Sequence, residues 1–403
     1  MKKRYNKTSE WERNYESEAN DEKSDAHVIS LLILLGTLLM VLAVITLQKP
    51  KNGEVQVVVT PPVTTPQPTP VVEKAELIMA GDALLHGAVY TDAKTAEGNY
   101  DFTEMMSSLN RVLDHYDLKY YNQETILGGT ELGLSTYPCF NSPQEFGDTM
   151  MDLGFNLVSL ANNHTLDRGE QAILNSLDYW SNQNALTAGS YSSFDDREEL
   201  RIRETNGIRY TLLSYTYGTN GIPVPEGKEY LVNVYTDEML AEDIAKARGE
   251  VDVLMVAMHW GTEYTHEPTA EQRRLAQLLA DLGVDIIIGS HPHVVQPIEW
   301  IDDTLCIYSL GNLISAQDGT LKRVGLLAGV TITKTTFEGQ SYIQLSAPRA
   351  DLIYTQYTPG YHHFKLKFFD EIEESELKDV WGVYDQYGKI VTDGGAVSQL
   401  GGL

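Results

Sequence analysis

The sequence is poor in cysteine and in basic residues, and each shortage excludes a class of protein. Its 403 residues include two cysteines, Cys139 and Cys306, and no C-x-x-C pair. A disulfide framework and a thiolate zinc site are therefore excluded. Lysine and arginine number 30 against 57 aspartates and glutamates, a net charge of −27. Because a non-specific nucleic-acid binder needs the opposite sign, no nucleic-acid partner is expected.

Several common catalytic and nucleotide-binding signatures are also missing. The sequence has no P-loop, no G-x-S-x-G and no G-x-G-x-x-G. Nucleotide-binding and serine-hydrolase interpretations therefore lack support.

An uncharged run over residues 28–47 predicts one transmembrane helix, since a bilayer core needs about twenty apolar residues. A buried core helix or a cleaved signal peptide is the alternative, but a charged tail, residues 1–27, precedes the run and no small-x-small cleavage site follows it. Six basic residues lie in the tail, against Lys49 and Lys51 just after the run. This asymmetry predicts a single-pass protein of the cell membrane, with a cytoplasmic N-terminus and an extracellular C-terminal domain.

The remaining chain is predicted to be a spacer followed by one α/β domain. Residues 48–74 are proline-rich and predict an extended linker. Over 75–320, apolar strand-like runs alternate with helical patterns, which predicts a largely parallel sheet. Residues 321–369 predict a β extension of this domain, with a hairpin turn at Glu338-Gly339. Residues 370–403 are acidic and then glycine-rich, and are predicted to form a tail. The predicted helices cover 102–116, 143–154, 170–180 and 267–282.

Six apolar runs end abruptly in polar clusters that suit metal binding or proton transfer. Apolar runs of this kind are typical of strands buried on both faces, and ligands bind beyond the carboxyl ends of such strands. Five of the ten histidines lie at these ends. The pattern predicts an active site. The clusters begin at Asp82, Asn122, Asn162, His259, Gly289 and Ser309, and the five histidines are His86, His164, His259, His291 and His293.

The segment His291-Pro-His293 is the most specific of these clusters. Two imidazoles two residues apart, at a strand end broken by proline, can point into one cavity. One surface histidine and one bonded to a backbone carbonyl would explain an isolated H-x-H equally well. The other strand ends favour a metal, and mixed imidazole, amide and carboxylate ligands without thiolate suit manganese, iron or zinc.

For the other clusters, a purely structural role is an alternative to metal binding or catalysis. His259 could be a core histidine, and Glu124 could cap the next turn. Asn163, His164 and Asp167 lie where a helix begins, and Asn and Asp often cap helices. Capping explains one of these residues but not the whole group, in which the Asp167 carboxylate could orient the imidazole.

The order of the motifs resembles the CapA/PgsA family of poly-γ-glutamate capsule synthesis proteins. That family is similar to the calcineurin-like metallophosphoesterases, so the resemblance implies a two-sheet α/β sandwich over a metal site. The matching motifs are Gly81-Asp82, Asn122-x-Glu124, Ala161-Asn-Asn-His164-x-x-Asp167, His259-Trp-Gly-x-Glu263, Gly289-x-His-Pro-His-Val-x-Gln296 and Ser309-Leu-Gly-Asn312.

The resemblance also implies roles for individual residues. His164 corresponds to the histidine that protonates the leaving group, with Asp167 and His86 as further catalytic candidates. Three residues separate Asp82 from His86 where the phosphoesterases have D-x-H, so one ion or two remain possible. The implied metal ligands are Asp82, Glu124 (in the place of a bridging aspartate), Asn163, His259, His291 and His293. The candidate substrate-binding residues are Asn122, Asn162, Glu263, Gln296 and Asn312.

Three hypotheses of function follow. The first is a membrane-anchored protein of poly-γ-glutamate biosynthesis or export with a metal-dependent hydrolase-like domain, working with the polymer and other subunits of a synthase complex. The second is an active metallophosphoesterase on a cell-envelope phosphoester. The third is a non-catalytic scaffold of a membrane synthase complex. The presence of bound metal would distinguish the non-catalytic scaffold from the other two hypotheses. Turnover of a phosphodiester would distinguish the active metallophosphoesterase from the hydrolase-like biosynthesis protein.

Overall fold

The computed structural model of the protein describes residues 69–403. The predicted tail, the predicted transmembrane run 28–47 and most of the linker lie outside the described residues. Among residues 69–403, no helix is both long and apolar enough to cross a membrane.

The strands of residues 69–403 form two sheets. The first sheet has the order β14-β13-β12-β1-β2-β3-β4, with β11 also paired to β1, and the second has the order β5-β6-β7-β8-β10-β9. The strands are β1 Val71–Leu84, β2 Leu118–Asn122, β3 Leu157–Ser159, β4 Leu186–Ala188, β5 Arg203–Thr205, β6 Ile208–Thr216, β7 Val253–His259, β8 Ile286–Ser290, β9 Ile298–Ile301, β10 Thr304–Ile307, β11 Asn312–Ser315, β12 Val324–Phe337, β13 Gln340–Thr358 and β14 His362–Phe368.

Helices connect these strands. They are α1 Gly87–Asp92, α2 Thr103–Met106, α3 Asn110–Leu113, α4 Glu145–Asp152, α5 Gly169–Ser181, α6 Phe194–Glu198, α7 Asp237–Arg248, α8 Ala270–Asp281, α9 Thr320–Arg323 and α10 Val380–Thr392. The predicted helices over 143–154, 170–180 and 267–282 are confirmed as α4, α5 and α8. A capping box at Thr269 starts α8, which is three residues later than predicted.

The helix predicted over 102–116 is instead broken into α2, a short 3₁₀ turn and α3. The Ser107 hydroxyl donates to the carbonyl of Glu104, and the Asn110 amide donates to the carbonyl of Ser107. Such local side-chain bonds compete with regular helical bonding. The apolar periodicity was nevertheless informative, because Met106 and Leu109 are fully buried.

The two sheets pack face to face around a shared core, so the predicted two-sheet α/β arrangement is confirmed. Buried side chains from both sheets, such as Leu77 of β1 and Met255 of β7, belong to one apolar cluster. The central strands β1 to β4 run parallel, as do β6, β7, β8 and β10. The β12–β13 hairpin is antiparallel and turns at Glu338-Gly339, as predicted.

The prediction that residues 370–403 form a tail is wrong. They contain α10, whose Val391 is fully buried and packs in the core between the sheets together with Val380 and Tyr387. These side chains recur at a spacing close to the helical period, a signal that the acidic and glycine-rich composition masked.

The chain passes from the second sheet to the first between β10 and β11. Asn312, the first residue of β11, pairs in register with Asp82 of β1. The amide of Asp82 donates to the carbonyl of Gly311 at 2.9 Å. A Cβ on Gly81 would lie 1.9 Å from that oxygen, so only glycine permits this approach. The crossing brings the ends of both sheets to one place.

Candidate metal centre

The polar clusters predicted at strand ends do meet, but at the ends of two sheets. Asp82 and Asn122 lie on β1 and β2 of the first sheet, and His259 ends β7 of the second. His291 and His293 follow β8, also in the second sheet. His259, His291 and His293 therefore follow neighbouring strands of one sheet, whereas Asp82 and Asn122 belong to the other. Strand alternation alone does not reveal which sheet a strand joins.

Glu124 lies at the centre of this cluster. It is fully buried, and neither carboxylate oxygen has a hydrogen-bond partner. Its Oε1 lies 3.6 Å from Nε2 of His259 and 3.6 Å from Nε2 of His293. A buried carboxylate without partners is costly, and burial raises the pKa of Glu124 well above its usual range. One oxygen thus faces two imidazoles, the arrangement expected of a carboxylate that shares metal ligation with both.

The turn that carries His291 and His293 has an unusual backbone. Both residues have positive φ, 94° and 56°, a region that non-glycine residues seldom occupy and that often marks functional sites. The amide of Tyr264 donates to the carbonyl of Pro292 at 2.8 Å. The turn brings both imidazoles close to Glu124, and one ligand atom from each of the three residues lies within 4.8 Å of the others.

Asp82 is held by its neighbours in the sheet. Its Oδ1 accepts from the Asn122 amide at 2.8 Å, and Asn122 Oδ1 accepts from the Ser159 hydroxyl at 2.6 Å. The other oxygen, Oδ2, lies 3.3 Å from Nδ1 of His293. Asn122, predicted to bind substrate, therefore orients a candidate metal ligand.

His259 and Asn163 lie side by side. Nε2 of His259 is 2.8 Å from Oδ1 of Asn163, and Nδ1 is 2.9 Å from the hydroxyl of Ser290. With Nδ1–H donated to Ser290, the Nε2 lone pair and the Asn163 oxygen would both be available to a metal. Burial lowers the pKa of His259 well below its usual range, which favours the neutral form that metals bind.

Asn312 fixes the imidazole of His293. Its Oδ1 lies 3.0 Å from Nδ1 of His293, and its amide donates to Gln317 and to the carbonyl of Lys322. All of its side-chain atoms are used. Asn312 was predicted to bind substrate, but the structure makes it a residue that positions His293.

Two other predicted substrate residues are also occupied by structural contacts. The Asn162 amide donates to the carbonyl of Gln123, and its oxygen accepts from the amide of His164. Gln296 donates to the carbonyl of Thr265 and accepts from Gln272. The side-chain oxygen and nitrogen of both residues thus have partners within the protein. Glu263 is exposed and remains a candidate.

His164 and Asp167 form a pair beside the proposed ligands. Nδ1 of His164 lies 2.7 Å from Oδ2 of Asp167, and both side chains are buried. The same carboxylate oxygen accepts from the amide of Phe140 at 2.7 Å, and the Phe140 ring packs edge-on against His164. Because Nδ1 is engaged, Nε2 is the ring nitrogen left for chemistry.

The contacts of His86 are structural. Its Nδ1 lies 3.1 Å from the carbonyl of Leu84, and its ring also packs against Phe140. Burial lowers its pKa to about 4. It therefore stands next to the pair as a neutral imidazole bonded to the backbone.

Several residues of the cluster were not among the site residues predicted from the sequence. Ser290 contacts the proposed ligand His259, and Ser159 donates to Asn122, which orients Asp82. Asn220 contacts both Asn163 and Nδ1 of His164. Tyr217 packs its ring 4.7 Å from that of His291. Ser159 and Ser290 end strands β3 and β8, and Ser290 directly precedes the predicted ligand His291. These strand-end positions were the one sequence signal that could have identified them.

The donor set fits a divalent metal. Besides Glu124, the buried Nδ1 of His291 has no hydrogen-bond partner, and burial lowers the pKa of His291 to about 3. For His293, burial alone would lower the pKa, but Glu124 and Asp82 outweigh it and raise the pKa to about 9. Imidazole nitrogens with carboxylate and amide oxygens match manganese, iron or zinc. The buried group Glu124, His291 and His293 could therefore hold a metal ion.

Comparison with known proteins identifies the family. The family model described as bacterial capsule synthesis protein PGA_cap matches residues 76–317. The chain belongs to this family. The PGA biosynthesis protein CapA of Bacillus subtilis (strain 168) is 33% identical over 193 residues, covering 46% of this chain and 49% of that protein. The capsule biosynthesis protein CapA of Bacillus anthracis is 30% identical over 186 residues, 45% of each chain. The chain thus spans about half the length of these curated relatives.

Solved structures are more distant from this PGA_cap chain. A hypothetical protein from Thermus thermophilus has a TM-score of 0.43 at 14% identity, covering 69% of this chain and 98% of that chain. A putative 5'-nucleotidase from Staphylococcus aureus has a TM-score of 0.43 at 16% identity, covering 77% of this chain and 58% of that chain. These similarities are too distant to support any argument about function.

Proposed function

We propose that this PGA_cap protein acts in biosynthesis or export of a poly-γ-glutamate capsule through a metal-dependent phosphoesterase centre. The observation that carries the proposal is the buried carboxylate of Glu124, which has no hydrogen-bond partner and faces His259 and His293 at 3.6 Å. A divalent ion bound by these residues would compensate the desolvation cost of the Glu124 carboxylate.

The proposed ligands come from both sheets. Asp82 is oriented by Asn122, His259 by Ser290 and His293 by Asn312. Partners of this kind fix the direction of each ligand and its ring tautomer. A bound divalent ion would polarise a phosphoryl oxygen and offset the negative charge that develops there.

His164 is proposed to supply the proton that the leaving group needs. Its Nδ1–H donates to Asp167, which holds the ring in place. Nε2–H can then transfer a proton to the departing oxygen as a water molecule forms the new bond to phosphorus and the ester bond breaks. The proton lost by that water goes to solvent. The amide of Phe140 anchors the same carboxylate, so the pair is positioned before substrate arrives.

The location of the domain is proposed from the sequence outside residues 69–403. The apolar run 28–47 would anchor the protein in the cell membrane, and the basic tail would keep the N-terminus in the cytoplasm. The domain would then act outside the membrane, where a capsule polymer is assembled or released, together with other subunits of a synthase complex.

The proposal is tested on the full-length chain purified in a mild detergent. Bound manganese, iron and zinc are measured by elemental analysis, and turnover is measured with bis(p-nitrophenyl) phosphate before and after chelation. We expect bound metal and chelator-sensitive turnover. The double variant His291→Ala/His293→Ala should lose both properties.

A matched control is available in the same chain. His362 and His363 are also two neighbouring histidines, but both are exposed on β14. The double variant His362→Ala/His363→Ala should keep the metal and the turnover. Metal without turnover of any phosphodiester would support a non-catalytic scaffold, and the absence of metal from the wild type would refute the metal centre.

A further inference from the structure

The side chain of Lys322 lies at the rim of the proposed metal centre. Its Nζ lies 4.7 Å from the ring centroid of Tyr264, and that ring lies 6.2 Å, centroid to centroid, from the imidazole of His293. Tyr264 is 45% exposed, so the rim is open to solvent. The ammonium therefore stands one aromatic ring away from a proposed metal ligand.

Lys322 is tied to that ligand by the backbone. Its carbonyl accepts from the Asn312 amide at 2.8 Å, and the oxygen of the same Asn312 side chain contacts His293. Gln317 also accepts from Asn312 and donates to the hydroxyl of Tyr264. The position of the lysine is thus coupled to the position of the metal site.

The charge of Lys322 is available to a ligand. Across the described part of the chain it forms no ion pair, and the nearby carboxylate of Asp318 is occupied by the hydroxyls of Tyr357 and Tyr361. The residue is partly exposed, so its ammonium can meet a ligand from solvent while it lies over the ring of Tyr264. In a chain of net charge −27, a cation at this rim favours an anionic ligand that the overall field would repel.

We propose that Lys322 and Tyr264 form an anion subsite that binds a second negatively charged group of the substrate, a carboxylate or a phosphate, one aromatic ring away from the metal centre. This inference rests on the proposed function, since it assumes that the reacting group occupies that centre. Glu263, next to Tyr264 and exposed, supplies an opposing charge that would limit the affinity for such anions.

Binding of three non-hydrolysable phosphonates to the full-length chain, with Mn²⁺ added, tests the subsite. Hexylphosphonate carries one anionic end, 6-phosphonohexanoate adds a carboxylate, and hexane-1,6-bisphosphonate adds a second phosphonate. Isothermal titration gives the three affinities. We expect both two-ended ligands to bind about fivefold more tightly than hexylphosphonate, the size of a partly exposed ion pair. The two-ended ligand whose affinity exceeds that of hexylphosphonate by the larger factor identifies the preferred anion. Added salt should reduce this difference in affinity.

Three variants make the test specific. Lys322→Gln should abolish the preference for two-ended ligands and weaken hexylphosphonate binding much less than theirs. Lys322→Glu should reverse the preference. Glu263→Gln should strengthen the preference, because the opposing charge is removed. Lys389→Gln, a change at an exposed lysine of α10, should have no effect.

The outcomes separate the subsite from the proposed function. A wild type that binds Mn²⁺ and hexylphosphonate without any preference, or a Lys322→Gln variant that keeps the preference, overturns the anion subsite alone. A wild type that binds neither manganese, iron nor zinc overturns the proposed function and this subsite with it.

Discussion

Nε2 of His293 lies 3.6 Å from Oε1 of Glu124, and both side chains are buried. The distance is too long for a hydrogen bond but suits two ligands of one ion. The same oxygen is equally far from His259. Glu124 therefore lies where a carboxylate could join two parts of a metal centre.

Replacement of Glu124 by glutamine tests this role with almost no change in shape. Glu124→Gln should lower metal affinity by about 100-fold, since even residues that only orient ligands cost about 10–100-fold when removed. Added metal should therefore raise the unfolding temperature of the wild type more than that of the variant. Calorimetry with and without Mn²⁺ provides the measurement. Glu97→Gln, at an exposed position, is the control, and equal metal affinity in both variants would exclude Glu124 as a ligand.

Metal binding should compete with protons. Without metal, the pKa of His293 is raised to about 9 by Glu124 and Asp82 against the opposing effect of burial, and burial raises the pKa of Glu124. A metal needs both groups deprotonated, so affinity should rise as the pH increases toward about 9, roughly tenfold per unit for each displaced proton. Titration at several pH values, in buffers of different ionisation enthalpy, measures the protons released. Constant affinity over this range would show that the two groups are not ligands.

The sequence predicted which residues belong to this centre better than it predicted how the strands bring them together. Runs of Val, Ile and Leu that end in Asp82, His259 or His291 mark strand ends by local pattern alone. Helix ends at Gly154 and Gly283 were predictable because glycine readily adopts the positive φ that these two residues have. Pairing between sheets is a long-range property with no local pattern. The sequence therefore did not indicate that β11 returns to β1 and brings Asn312 to Asp82.

The division between ligands and orienting residues was also hidden. Asn162 and Asn163 are adjacent residues of the same type. The Asn162 side chain bonds to backbone groups of two loops, whereas the Asn163 side chain contacts His259. Side-chain direction on an irregular turn depends on the loops around it. Only the folded contacts separate the two roles.

His164 should act in catalysis more than in metal retention. Its Nδ1 is engaged by Asp167 at 2.7 Å, which leaves Nε2 for the leaving group. His164→Ala should lower phosphodiester turnover by about 100- to 10,000-fold, the usual range for a general acid, while elemental analysis shows nearly unchanged metal. His115→Ala, at an exposed histidine, is the control. Loss of metal from His164→Ala would instead make His164 a ligand.

The pairing of His164 with Asp167 predicts that their effects do not add. Asp167→Asn should reduce turnover in the wild type but have little further effect in the His164→Ala background, because neighbours in one network are coupled. In cells, His164→Ala should fail to restore capsule production to a strain lacking the gene. Full restoration would favour the scaffold hypothesis.

The orientation of the chain can be tested by protease accessibility. The uncharged run 28–47 and the basic tail before it predict an external domain. Protease added to intact cells or spheroplasts should digest the domain and spare an epitope placed in residues 1–27, and permeabilised cells should lose both. Digestion of the tail alone would reverse the orientation. A freely released, shortened protein would mean that the run is a cleaved signal peptide.

The C-terminal helix α10 should contribute to the stability of the whole domain. Val391 is fully buried and shares the core between the sheets with Ile298, whose carbonyl accepts from the amide of Ala396. Val391→Ala should therefore lower the free energy of unfolding by about 2 kcal/mol, through lost apolar contact and the cavity left behind. Lys389→Ala, exposed on the same helix, should change it by less than about 0.5 kcal/mol. Urea unfolding followed by near-UV circular dichroism gives both values. If the two variants unfolded alike, α10 would be an appendage on the core and not part of it.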